Sequence, residues 1–123
     1  MTRIKLMLAA LVVVALVVSA AAALASTRST PSLLGTVGPG FTIDLKDSKG
    51  KAVKTLAAGS YTIRVTDKSN IHNFHLKGPG VDKMITDIGF QGTKTVTLTL
   101  KKGTYSFVCD PHASTMHGGF SVS

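Results

Sequence analysis

From residue 41 onward, apolar and polar residues alternate in short runs with a period of two. Phe41, Ile43 and Leu45 alternate with Thr42 and Asp44, and Tyr61, Ile63 and Val65 with Thr62, Arg64 and Thr66. Val96, Leu98 and Leu100 alternate with Thr95, Thr97 and Thr99. Alternation of this kind sends successive side chains to opposite faces of a β-strand, one face toward a core. Turn signals separate the runs: Asp47-Ser48-Lys49-Gly50, Gly78-Pro79-Gly80 and Lys101-Lys102-Gly103. The last of these leads into a strand over 104–109, and a final short strand is expected over 119–122. No segment has a convincing helical period and no internal repeat is visible. Short, Thr- and Val-rich strands at regular spacing predict an all-β sandwich or barrel.

The first 25 residues follow a different pattern. Arg3 and Lys5 precede the almost wholly apolar stretch Leu6 to Val18, and Ala23-Leu24-Ala25 forms a small-x-small cleavage site. Residues 1–25 are therefore expected to be a signal peptide. The apolar run approaches bilayer-spanning length, which leaves an uncleaved membrane anchor as the alternative. Either way the remainder is expected outside the cytoplasm: periplasmic, at the cell surface or secreted. Residues 26–40, rich in Ser, Thr, Pro and Gly, read as a linker leading into the first strand. Residues 41–123 read as one domain, since the 123-residue chain has no room for a second core.

Charge changes the picture little. The formal net charge of +8 falls to +6 without Arg3 and Lys5, and there is no glutamate. The basic residues are scattered singly or in pairs, without the aromatic interleaving of a nucleic-acid platform, so no nucleic-acid partner is expected. The plain reading is a solvated surface; positive charge would also steer the protein toward an acidic redox partner or an anionic surface.

The chemistry is concentrated near the C-terminal end. The only cysteine stands in Cys109-Asp110-Pro111-His112-Ala113-Ser114-Thr115-Met116. One cysteine cannot form an intrachain disulfide, and a free thiol in an oxidising compartment is a liability unless a metal occupies it. A thiolate, an imidazole and a thioether within eight residues are the start of a mononuclear type 1 copper centre. Such a centre needs two His, one Cys and a weak axial Met. The second imidazole is available in His72-Asn73-Phe74-His75. Strand parity chooses between its histidines. Tyr105, Phe107 and Cys109 share an apolar face, and His72 shares one with Phe74 and Leu76, whereas His75 falls opposite. His72 is thus expected to face inward and His75 to be exposed or half-exposed. His75 and His117 remain the less favoured alternative ligands; His117 directly follows Met116 and competes with it for the axial position. Pro111 lacks the N–H that could otherwise point at the cysteine sulfur.

Counting excludes other chemistries. A binuclear thiolate-bridged copper centre needs two cysteines, and a multicopper oxidase needs more than the four histidines present. With no glutamate and no close aspartate pair, acid–base hydrolysis has no residues to use. A nucleophilic cysteine would need a base, an orienting group and an oxyanion hole, none of which is evident. Zinc would not usually recruit the methionine.

The segment Tyr105-Ser106-Phe107-Val108-Cys109-Asp110-Pro111-His112, followed by Met116 and Gly118, resembles the copper-binding segment of the cupredoxin family, which includes the plastocyanin-like and azurin-like blue copper proteins. The step from His112 to Met116 is one residue shorter than the plastocyanin step and matches that of azurin. His72-Asn73 is similar to the His-Asn pair that opens the site in both. The resemblance is strong over about the last 55 residues. It implies a Greek-key β-sandwich holding one copper ion that cycles between Cu(I) and Cu(II). It also implies a trigonal plane of His72, Cys109 and His112, Met116 as axial ligand, and Asn73 holding the ligand loop and the sulfur. His75 and His117 depart from the family pattern.

The sequence thus describes an exported monomer that carries single electrons between redox-protein donors and acceptors, without being an enzyme. Copper storage, delivery or sensing without electron transfer is the alternative, and a metal-free cupredoxin-like binding domain a third reading. Membrane contact is expected only if the leader is uncleaved.

Overall fold

Nine strands form among the residues described by the computed structural model, 28–123. The expected signal peptide at 1–25 and its cleavage site lie outside those residues. The strands are β1 (Ser32–Val37), β2 (Ile43–Asp47), β3 (Thr55–Leu56), β4 (Gly59–Asp67), β5 (Phe74–Gly78), β6 (Val81–Thr86), β7 (Gly92–Leu100), β8 (Gly103–Val108) and β9 (His117–Val122). A single 3-10 turn, Asp110–His112, interrupts the loop between β8 and β9.

The strands form two mixed sheets, ordered β2-β1-β4-β7 and β3-β9-β8-β5-β6. The β1–β4 and β3–β9 pairs are parallel and the others antiparallel. The chain crosses between sheets after β2, β3, β4, β6 and β7, giving the expected Greek-key sandwich. Alternation explains the inner faces. Leu33, Val37, Leu45, Ile63 and Val65 from the first sheet are buried against Phe74, Leu76, Tyr105, Phe107, Phe120 and Val122 from the second. The aromatic rings pair across neighbouring strands, Phe74 stacking on Phe107 at 5.6 Å and Tyr105 on Phe120 at 5.2 Å. Burying each such side chain is worth about 1.5–3 kcal/mol, so this layer is a rigid base for the loop that leaves β8.

Two sequence expectations need correction. The stretch 26–40, read as a linker, contains β1, an inner strand of its sheet. Its alternation is hidden because the inward position between Leu33 and Val37 is Gly35. A Cβ there would stand 2.9 Å from the Phe74 ring, so the core is filled from the opposite sheet. Phe41, read as the first residue of a strand, precedes β2 and is largely exposed.

All the loops that matter for function gather at one pole. The registers place Val37, Asp67, Phe74, Val108 and His117 at the same end of the sandwich. Loops 38–42, 68–73, 87–91 and 109–116 therefore meet there.

Candidate metal centre

Cys109 follows β8 directly and continues the inward row of Tyr105 and Phe107, which leaves its thiol fully buried. The loop after it closes on itself through the backbone. Cys109 N–H donates to Met116 O at 3.0 Å, His112 N–H to Cys109 O at 3.1 Å and Met116 N–H to His112 O at 2.8 Å. Pro111 suits the first turn of the 3-10 segment because it needs no N–H partner there. This ring of bonds fixes the direction in which His112 leaves the loop.

His72 reaches the same point from the loop between β4 and β5 and is fully buried. Packing orients its ring. Gly38 sits against it with φ of 73°, and a Cβ at that position would be 3.0 Å from His72 Cδ2. Only glycine meets both the backbone conformation and the space. On the outer side Phe41 stands edge-on to the rings of both His72 and His112.

Three donor atoms converge as a result. Cys109 Sγ lies 3.6 Å from Nδ1 of His72 and 3.6 Å from Nδ1 of His112, and the two nitrogens are 3.1 Å apart. A point equidistant from the three is about 2 Å from each, close to the 2.0–2.3 Å of bonds from zinc, a neighbouring first-row metal, to imidazole nitrogen and thiolate. Two imidazole Nδ1 atoms and a thiol turned toward one another at the end of an apolar core fit a soft, low-coordinate metal ion such as copper. Met116 is fully buried beside them, its main chain bonded to both Cys109 and His112.

Asn73 supports the loop from β5's side. It is fully buried, its Nδ2 donates to Asp110 Oδ2 at 2.7 Å, and its Oδ1 accepts the Asp110 N–H at 2.8 Å. The Asn73 amide is thus spent on the residue after the cysteine. Partial burial raises the Asp110 carboxyl, but hydrogen bonds from Asn73 and His75, with the positive charges of His75 and Lys77, carry it below its ordinary value.

The other two histidines are held away from this cluster. His75 points outward and lies between the carboxylates of Asp110 and Asp82. His117 is exposed, with Nδ1 at 2.8 Å from Ala113 O. Sequence reasoning missed three contributors: Gly38, Phe41 and Asp110. The Gly38-Pro39-Gly40 turn ahead of an aromatic was a usable signal for the first two. Around His112, which is half-buried, Phe41, Ile71 and Ile88 expose apolar surface at this pole, the Ile88 loop being tied to the Ile71 loop by Gly89 N–H to Asn70 O.

Comparison with known proteins agrees with this geometry. Residues 42–123 match the family described as copper binding proteins, plastocyanin/azurin family. No curated protein matches the chain. Among solved structures, the copper protein rusticyanin is similar with a TM-score of 0.52 and 20% identity, over 75% of this chain and 76% of its own. Auracyanin A, a "blue" copper protein from the green thermophilic photosynthetic bacterium Chloroflexus aurantiacus, gives 0.54 and 22%, over 77% of this chain and 100% of its own. A chain of a heme-copper terminal oxidase dimer gives 0.51 and 22%, over 75% of this chain and 63% of its own. At these identities the likeness is one of fold.

Proposed function

Since this chain belongs to the plastocyanin/azurin family of copper-binding proteins, with His72, Cys109 and His112 positioned as a type 1 copper site, we propose that it is an exported one-electron carrier. The observation that carries this reading is the convergence of the two Nδ1 atoms and the sulfur at the inner ends of a rigid sandwich. Copper, when bound, supplies a Cu(II)/Cu(I) couple that gains or loses one electron without breaking a bond. The protein's part is to keep the donor atoms still. The closed loop from Cys109 to Met116, the Asn73–Asp110 pair and the packing of Gly38 against His72 all oppose rearrangement.

Met116 is the axial ligand in this reading, being buried at the site while His117 is turned to solvent. His112 is the ligand nearest the surface, and the apolar side chains around it suit contact with redox-protein donors and acceptors. The leader at 1–25 supports export. In this reading the chain is a carrier and not an enzyme, its ligands standing at the ends of apolar strand rows.

An absorption and electron-resonance spectrum of the copper-saturated protein tests the reading, together with voltammetry. An intense thiolate-to-Cu(II) band and a reversible one-electron couple are expected. The band should vanish in His72→Ala and persist in His75→Ala. A colourless copper protein overturns the type 1 assignment. Colour without reversible cycling favours copper handling over electron transfer.

A further inference from the structure

His75 is the one histidine engaged by two carboxylates, and the ligand set does not use it. Its ring lies on the outer face of the second sheet, between cross-strand partners Met84 on β6 and Val108 on β8. Nδ1 is 2.9 Å from Asp110 Oδ2 and 3.1 Å from Oδ1, while Nε2 meets Asp82 Oδ1 on β6. Lys77, two residues along β5, is the nearest cation in sequence. The side chain of His75 is only 13% exposed, against 34% for Asp110 and 79% for Asp82.

Ionised carboxylates only accept hydrogen bonds, and a neutral imidazole has one N–H and one lone pair. Both nitrogens face carboxylate oxygens, so both contacts are hydrogen bonds only if the ring carries both protons. A surface ion pair of this kind is ordinarily worth little. The Asp110 half is different, because that carboxylate is shared with the fully buried Asn73 and belongs to the residue between Cys109 and Pro111. A chain of contacts therefore runs from β6 through Asp82, His75 and Asp110 into the segment that carries two ligands.

We propose that His75 is a positioning residue for the copper loop: as an imidazolium bridging Asp82 and Asp110, it anchors Asp110 and balances the negative charge beside Cys109. The role rests on the electron-carrier reading above. An unbalanced carboxylate next to the site favours the more positive Cu(II) over Cu(I), so removing the cation lowers the reduction potential. Removing the anchor also loosens the loop. Loss of a partner that orients a ligand commonly costs 10–100-fold in metal affinity, and about tenfold is expected here, the lower end, because Asn73 remains.

The experiment compares wild type, His75→Ala, His75→Gln, Asp110→Asn and the His75→Ala/Asp110→Asn pair as full chains saturated with copper. His75→Ala is expected to lower both the potential and the copper affinity. His75→Gln, which keeps a donor without the charge, should lower the potential and hold the affinity near wild type. In the Asp110→Asn background, His75→Ala should cost no further copper affinity, because the residue it anchors has already lost its carboxylate. A His75→Ala loss of affinity that persists unchanged in Asp110→Asn overturns the proposal. If wild type shows the thiolate band and His75→Gln has its potential, the role of His75 alone is overturned. If wild type takes up copper without the band, the reading of the site falls and this role with it.

Discussion

The Phe41 ring meets the His112 imidazole edge-on, with centroids 4.9 Å apart and planes at 82°. It does the same to His72 at 5.6 Å and 69°, so one exposed aromatic covers both imidazoles of the site. Phe41→Ala would admit water to that edge. Water stabilises the more highly charged oxidised ion, and the apolar shell of a metal site controls its dielectric and potential. The reduction potential of the variant is therefore expected to fall. Stability should change by less than about 1 kcal/mol, since Phe41 is 61% exposed. Voltammetry identical to wild type would count against shielding by this ring.

Met116→Leu separates the thioether from its volume. The exchange conserves most of the buried bulk and should cost less than about 1.5 kcal/mol of stability. The blue colour should survive, because the histidines and the cysteine remain. A weak axial donor helps Cu(II) more than Cu(I), so the potential should rise. An unmoved potential would make Met116 a core residue rather than a ligand.

Pro111→Ala tests the sulfur's surroundings. Among the described residues, Cys109 Sγ has no contact with a backbone N–H, only with the two Nδ1 atoms. Alanine restores an N–H in the turn after the cysteine. A hydrogen bond to the sulfur weakens the thiolate as a donor to Cu(II), and the potential should rise if the turn keeps its shape. A measured fall would refute this account.

Acid should weaken the turn that leaves β2. Asp47 Oδ1 accepts the N–H groups of Lys49 at 2.9 Å and Lys51 at 3.0 Å. The Lys51 hydrogen bond is the largest influence and lowers the Asp47 carboxyl. Desolvation opposes it, and the Lys49 hydrogen bond with both lysine charges leaves the group below its ordinary 3.8. Because the folded value is the lower one, the stabilisation is full above 3.8 and disappears as pH falls through the folded value. Wild type should exceed Asp47→Asn in urea midpoint at neutral pH, with the gap closing in acid. A gap independent of pH would show that the carboxylate charge is not involved.

Much of the site was legible because its parts are local. Cys109, His112 and Met116 lie within one loop, and His72 follows from a parity argument that needs only Phe74 and Leu76 beside it. The same parity sends His75 outward, but parity cannot say what it meets there. Asp110 comes from 35 residues away, a contact made only once β5 pairs with β8. Phe41 was assigned to a strand because an aromatic at an alternating position looks like core, whereas here it turns to the histidines. β1 was concealed for the opposite reason. Its inward glycine carries no apolar side chain, since the space belongs to Phe74 on the facing sheet.

The parallel pairing of β1 with β4 gives the molecule a head and a tail. Pro31 O accepts the Thr62 N–H just before β1 begins, and Ser123 is bonded to Leu56 and Ala58, so both ends of the described chain are fastened at the same far extremity. The nine residues of β4 separate that extremity from the histidines by roughly 27 Å, at about 3.3 Å per residue. A domain fused after Ser123, or a linker to an electrode placed there, grips the sandwich by its tail. The pole that carries the three donor atoms is then left facing away from the attachment.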